Sequence, residues 1–497
     1  MNTKHDDAHF STVRARISAA IVATLMATAA ISAETASEPL PEPKSESIQQ
    51  FELRAEVMRE HGHILKAMLA SEHAGFGGDV SAAIANHMAS RNDTAAINDA
   101  RDKLRVETYG DGTWLLRFPW VNVAVFETEE GLVLVDTGYA PAGPALLETL
   151  RKISDKPIHT IIYSHHHLDH AYGTWALIEA GEDPRIIAEE SFLQEMGLDI
   201  RLADYANTRL NDQDPRDVPR SWDDVYAPTE TFRGRTTLTI GGEEFVLNHA
   251  RGETADHVWV YVPGRKVVVS GDLHQPFLPN AGNGKRRQRY LQDWSSALRS
   301  MAALEPELLL PMHGAAMTQP AEIQNKLDVV ASAFESITAQ VIDGLNAGLR
   351  QDQVIASVRL PKELENHPQL APYYNTVSDV AKMVVREYSG WWDDIPSNWT
   401  PASKEAQGRA VVELAGGLDK LVAYTRQLLD SDLLLASHFA DLAFHASPEN
   451  ATVLQLGIDT YSRRIQPGLP LQEINVYLSH LVELKLRLQN LEQPAGE

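Results

Sequence analysis

No cysteine occurs among the 497 residues. Disulfides, thiolate metal ligands and cysteine nucleophiles are therefore excluded, and any metal must be held by His, Asp or Glu. Positive charge is scarce as well, with 44 Lys and Arg against 68 Asp and Glu and a formal net charge of −24. So acidic a surface disfavours non-specific binding to nucleic acid or to anionic membranes. Long apolar runs are missing beyond the N-terminus, so no stable membrane span is expected. One uncharged stretch, 17–33, follows Arg14 and Arg16 and precedes a polar, proline-rich segment at 34–47. It is short for a span and reads as a signal peptide over 1–33, cut near Ala33, which implies a periplasmic or secreted protein. With no cysteine behind the signal, a lipoprotein anchor is excluded.

What is present suits a large globular chain. Hydrophobic residues make up 43%, and the length accommodates more than one domain. Segment 34–105 reads as a linker and helical arm, with Leu53, Val57, Ile64, Leu65 and Met68 at helical spacing and a break at 75–78. Over 106–318 the pattern changes to short β-rich runs at 114–118, 122–127, 132–135 and 158–163, with a helix at 141–153 before the fourth. Further runs at 236–240, 244–248, 258–262 and 266–270 meet at Gly241 with Gly242 and at Pro263 with Gly264, which are hairpin signals. Strands, inserted helices and strands again predict a layered α/β domain. Segment 319–497 is helix-dominated, with periodic stretches at 323–345, 414–429, 433–446 and 451–463. The last two, separated by Pro448, read as a helical hairpin of the tetratricopeptide type.

The chemistry concentrates at 164–173, where His165, His166, His167, Asp169 and His170 follow an apolar strand. That places them at a strand's C-terminal end, where α/β folds put ligands. Imidazoles so close would repel if protonated, and burying them without partners is costly. Neutral nitrogens directed at divalent cations resolve both problems. His165 and His167, two apart, face one way in an extended segment and suit one ion. Asp169 and His170 follow a turn and suit a second, while His166 alternates away.

The His-x-His-x-Asp-His pattern, with Leu-Val-Leu-Val-Asp-Thr-Gly at 132–138 upstream, resembles the metallo-β-lactamase superfamily over 106–316. The resemblance implies an αββα sandwich of class α/β, followed by an all-α helical domain at 319–497. It also implies two zinc ions at one edge of the sandwich, with Asp136 a structural residue beside them. The superfamily's third histidine sits in a Gly-His-Thr-like turn; here that turn reads Gly252-Glu253-Thr254, with His257 four residues on as the alternative ligand. Glutamate there resembles the alkyl sulfatase branch. Asp272 takes the place of the residue that bridges both metals, and is one methylene shorter than that branch's glutamate. His313 ends a strand as the second metal's ligand. The implied metal set is His165, His167, Asp169, His170, Glu253, Asp272 and His313. Segments 385–393 and 413–417 resemble the alkyl sulfatase dimerisation domain, which implies a homodimer. The branch's lipid-carrier-like C-terminal domain has no room before Glu497, which points toward small or medium alkyl sulfates.

In this reading the two ions lower the pKa of a shared water, so hydroxide is available near neutral pH. Asp169, Glu253 and Asp272 orient it, His274 is the candidate leaving-group acid, and Arg286 and Arg287 in the run 285–289 are candidates for the substrate anion. The small-molecule substrate is expected to be a sulfuric ester. A phosphoester, lactone or β-lactam on the same fold is the alternative, and a non-catalytic binding protein is the reading from another class.

Overall fold

In a computed structural model, residues 45–60, 89–110, 112–205 and 215–492 are described. The signal peptide expected at 1–33, the linker before Ser45 and the arm residues Ile64, Leu65 and Met68 with the break at 75–78 lie outside them. Among the described residues, no helix is long and apolar enough to cross a membrane.

Two sheets form the centre. In the seven-stranded sheet the order is β1 (Arg105–Thr108), β2 (Thr113–Arg117), β3 (Asn122–Glu127), β4 (Leu132–Val135), β5 (Ile158–Ile162), β6 (Arg185–Glu189) and β7 (Glu230–Phe232). Pairing is antiparallel as far as β4 and parallel from β4 to β7. The five-stranded sheet runs β12 (Leu308–Pro311), β11 (Val267–Gly271), β10 (Val258–Val262), β9 (Glu243–His249) and β8 (Arg235–Ile240). Only its β11–β12 pair is parallel. Every residue of β4 and β11 is buried, which explains why both read as continuous apolar runs without alternation.

Phe126 of β3 meets Phe245 of β9 edge to face at 5.6 Å, so the two sheets share one core. The β8–β9 turn secures this packing from outside. Gly241 has φ +54°, and a Cβ there would stand 2.5 Å from the Glu129 nitrogen in the β3–β4 turn. Only glycine allows both the dihedral and the approach.

Helices α2 (Thr94–Lys103), α3 (Gly143–Ile153), α4 (Leu168–Ala171), α5 (Thr174–Glu179) and α6 (Ser191–Arg201) accompany the first sheet. α7 (Leu291–Ala302) and α8 (Pro320–Asn346) cover the second. Trp294, Leu298, Ile323, Leu327 and Phe334 form a second buried cluster with Val268 and Leu309 of that sheet. Each such side chain contributes roughly 1.5–3 kcal/mol on burial. This is the αββα layering that the resemblance implied. α8 lies beyond residue 318 yet packs on α7, so hydrophobic packing crosses the boundary expected there.

The rest of the chain is helical: α9 (Gln351–Ser357), α10 (Val377–Tyr388), α11 (Lys404–Leu414), α12 (Leu418–Ser431), α13 (Leu433–Ala446), α14 (Ala451–Arg464) and α15 (Leu471–Glu492). The helix expected over 414–429 is divided. α11 stops at Leu414 because Gly416 and Gly417 take φ of +80° and +121°, and α12 starts afresh. α1 (Ser45–Glu60) packs on α15, so the two ends of the described chain meet.

Candidate metal centre

Four strands deliver the site to one edge of the sandwich. Parallel β4 and β5 end at Asp136 and Ser164, and parallel β11 and β12 end near Asp272 and His313. Backbone bonds lock the two sheets together there: Val258 N donates to Ser164 O at 2.7 Å, and Asn122 N to Met312 O at 2.7 Å. The Asn122 amide also donates to Pro311 O and Gly314 O at 2.7 and 2.8 Å.

Each histidine at the centre has one ring nitrogen engaged, which fixes where the other points. His170 Nδ1 lies 2.8 Å from Asp136 Oδ2, and His313 Nδ1 donates to Trp120 O at 2.8 Å. Ser164 Oγ donates to Asp136 at 2.7 Å and accepts from His165 Nδ1 at 3.0 Å. The Nε2 lone pairs of His165, His170 and His313 are thereby turned inward, as metal-binding imidazoles require. His170 Nε2 lies 3.4 Å from Asp272 Oδ1 and 3.6 Å from Asp169 Oδ1. His313 Nε2 lies 3.2 Å from Asp272 Oδ2 and 3.6 Å from Asp169 Oδ2. Asp272 thus reaches both imidazoles with different oxygens. His167 Nδ1 is 2.9 Å from His165 Nε2.

Two triads of ligand atoms lie within 4.8 Å of one another: His165 with His170 and Asp272, and Asp169 with His170 and His313. Among the described residues, His170 Nε2 and Asp272 Oδ1 are buried with no hydrogen-bond partner. Burial alone would lower His313, but Asp272 and Asp169 outweigh it and hold the ring at about 9. Burial opposes charge on His170 too, and its three carboxylate neighbours reverse that; on Asp272, His170 and His313 overcome burial and keep the carboxylate ionised. The carboxylates create a demand for positive charge at these points. Imidazole nitrogens and carboxylate oxygens at such spacing fit zinc.

Other expected residues fall elsewhere. Glu253 is 4% exposed, and both its oxygens are taken. Oε1 accepts from Asn280 Nδ2 at 2.6 Å and lies 3.3 Å from Arg289 Nη2, while Oε2 accepts from Gln275 Nε2 at 3.1 Å. Burial raises its pKa to about 7, with Arg289 pulling the other way. Among the described residues, neither Glu253, His257 nor His167 contributes an atom to the two triads. His257 stacks on His165 at 4.8 Å, and its Nε2 accepts from Asp272 N at 3.0 Å. His274 is buried, held at about 3 by burial and then by Lys326. It is not among the described residues lining the cavity.

The cavity beside the centre measures about 570 Å³. Arg286, Arg287 and Arg289 all line it, but in different states. Arg287 is committed to Glu195 at 2.9 Å and Asp199 at 2.8 Å. Arg289 is 2% exposed, and its Nε has no partner among the described residues. Burial lowers its pKa only to about 10, so it keeps its charge. Sequence reasoning also missed Asp256. It binds the His166 backbone nitrogen and ring Nδ1, each at 2.9 Å, and so ties the histidine loop to the start of β10. Nothing in spacing alone announces that pair, because 90 residues separate its members.

Comparison with known proteins agrees with this geometry. Residues 120–313 match the family model of the metallo-beta-lactamase superfamily, and residues 350–486 that of alkyl sulfatase dimerisation. The chain carries a metallo-β-lactamase domain followed by an alkyl sulfatase dimerisation domain. A linear primary-alkylsulfatase from Pseudomonas sp. is 28% identical over 392 residues, covering 73% of this chain and 74% of the relative. An (R)-specific secondary-alkylsulfatase from Pseudomonas sp. is 24% identical over 401 residues, covering 73% and 60%. The chain thus spans about three-fifths of that second relative. The solved structure of the stereoselective inverting sec-alkylsulfatase Pisa1 from Pseudomonas sp. is 20% identical, covers 90% of this chain and 78% of its own, and superposes with a TM-score of 0.69. That likeness carries the fold.

Proposed function

We propose that this protein is a zinc-dependent hydrolase of sulfuric esters. The observation that carries the substrate class is Arg289, a buried, charged guanidinium on the cavity that holds the histidine–aspartate centre. A monoanionic ester group needs such a fork of donors, and a dry site strengthens the contact. The alkylsulfatase names of the relatives support the same substrate class.

In this reading His165, His167 and Asp272 would hold one zinc ion, and Asp169, His170 and His313, together with Asp272, would hold a second. Bound zinc supplies a nucleophile by lowering the pKa of water. The chain's own residues do the rest. Asp169 and Asp272 offset the cationic charge and accept hydrogen bonds from the attacking water. Glu253, fixed by Asn280 and Gln275, holds Arg289 toward the cavity and serves the substrate anion more than the ions. Arg287 braces α6 through Glu195 and Asp199. Water adds, the ester bond breaks, and an alcohol and sulfate leave.

The same proposal includes a homodimer through the helical domain and export of the chain, with a mature N-terminus near residue 34. Purified protein should contain zinc and release sulfate from medium-chain alkyl sulfates. Chelation should abolish this and added zinc restore it. Turnover confined to phosphodiesters, lactones or β-lactams would remove the sulfatase reading. A zinc-loaded protein that hydrolyses none of these esters would remove the enzyme.

A further inference from the structure

The cavity beside the metal centre has walls of different character. The stretch at the start of α15 presents two amides, Gln472 and Asn475. Another stretch is apolar, with Leu168, Tyr172, Leu202, Tyr205, Val218 and Pro219 on the lining. Of these, Leu202 is 45% and Tyr205 52% exposed, whereas Asp272, Arg289 and His313 on the same lining are buried. The charged groups therefore lie deep, and Leu202 and Tyr205 stand at the mouth. A lone exposed leucine on a surface is ordinary. Two large apolar side chains at the mouth of a cavity with a charged floor match a ligand with an anionic head and a hydrocarbon tail.

The same stretch is tied to the reacting centre. Leu202 caps α6, its nitrogen donating to Leu198 O at 3.0 Å, and Tyr205 ends the short turn Ala203–Tyr205 that follows. Just before the cap, Asp199 reaches back toward the histidine loop. Its Oδ1 accepts from Arg287 Nη2 at 2.8 Å, and its Oδ2 lies 3.3 Å from His166 Nε2. The other nitrogen of His166 faces Asp256 at 2.9 Å. Arg287 also holds Glu195, one turn earlier on α6, at 2.9 Å. Further back, Phe192 stacks on Tyr163 at the end of β5 at 5.3 Å. His166 stands between His165 and His167, so the helix end that carries the apolar mouth is bonded to the loop that carries the metal-binding imidazoles.

We infer that Leu202 and Tyr205 form a lip that holds the hydrocarbon tail of the substrate and sets the preference for chain length, and that Asp199 is the positioning residue that keeps this lip in register with the reacting ester. The inference rests on the sulfatase reading for its reacting end. The tail leaves the deep charged floor, runs out along the apolar wall and is covered at the mouth by the end of α6. Each methylene taken fully out of water there corresponds to about four-fold in binding.

The test compares kcat/KM for octyl and butyl sulfate in wild type, in the double variant Leu202→Ser with Tyr205→Ser, and in Asp199→Asn. Both lip residues are about half exposed, so replacing them leaves the core intact. Four methylenes separate the esters, so wild type should favour octyl sulfate by about ten-fold or more. The double variant should lower that ratio about five-fold, through KM rather than kcat, and Asp199→Asn should lower it about three-fold. A wild-type ratio near one, or a ratio not lowered in the double variant, would overturn the lip while leaving the sulfatase reading intact. Loss of both esters alike in Asp199→Asn would overturn its positioning role, because a residue needed only for folding or metal binding does not distinguish chain lengths. If neither ester is hydrolysed, the sulfatase reading fails and calorimetric binding of octyl sulfate to the zinc-loaded protein decides the lip alone. Binding should then be about five-fold weaker in the double variant; equal binding, or none in wild type, overturns it.

Discussion

Asp136 shows how much of the candidate metal centre rests on a residue outside both ligand triads. Its carboxylate has no exposed surface, and it accepts from Ser164 N at 2.6 Å and Ser164 Oγ at 2.7 Å while facing His170 Nδ1 at 2.8 Å. It also sits at φ +65°, a dihedral that Asp and Asn tolerate better than most side chains. Asp136→Asn therefore keeps the backbone but removes the charge behind His170 and mispairs one of three bonds. Zinc affinity, read by competition with a chromophoric chelator, should fall about 10–100-fold with the fold intact. An unchanged affinity would mean that His170 needs no support from behind.

The histidine loop was legible at this scale because spacing and a preceding strand carry its geometry. The neighbouring turn was not. Whether Glu253 or His257 faces the histidines depends on how Gly252 seats: a Cβ there would stand 2.3 Å from Leu273 Cδ2 and 3.4 Å from Trp294. That contact joins segments some twenty to forty residues apart, and no local pattern encodes it. The basic run is similar. Arg287 faces Glu195 and Asp199 on α6, whereas Arg289 turns inward toward Glu253, and only tertiary packing separates them.

Among the elements, the strands that read most clearly were those buried on both faces or closed by a glycine turn. β6 and β7 escaped notice because β7 is three residues long and each depends on parallel pairing for its existence, β6 with β5 and β7 with β6. The junction of α4 and α5 shows how tightly one element is set by another. A Cβ on Gly173 would stand 2.0 Å from Thr137 O, while Gly173 N donates to Gly138 O at 2.9 Å. Neither atom is the end of a flexible side chain. Gly173→Ala must push α4, and with it Asp169 and His170, away from the end of β4. We expect a loss of about 1–3 kcal/mol in denaturant unfolding, together with weaker zinc binding. A variant as stable as wild type and equally avid for zinc would show that the loop floats free of β4.

At the scale of the whole molecule, the proposed homodimer would form through the helical domain. Trp391 is 76% and Trp399 61% exposed, and their rings stack at 5.2 Å, with Trp392 edge-on to Trp399 at 5.9 Å. This cluster lies within the segment matching the dimerisation model and presents exposed apolar surface among the described residues. Two copies also bring together twice a net charge of −24. Apolar contact then favours association while charge opposes it, and salt separates the two effects. Between about 0.01 M and about 1 M salt the Debye length shrinks from about 30 Å to about 3 Å, which removes the repulsion and leaves the contact. Dimers should therefore tighten as salt rises, as read by sedimentation at low protein concentration, and the double variant Trp391→Ser with Trp399→Ser should stay monomeric over the same range. If salt instead dissociates the dimer, complementary charges hold it, and the tryptophans lie outside the interface.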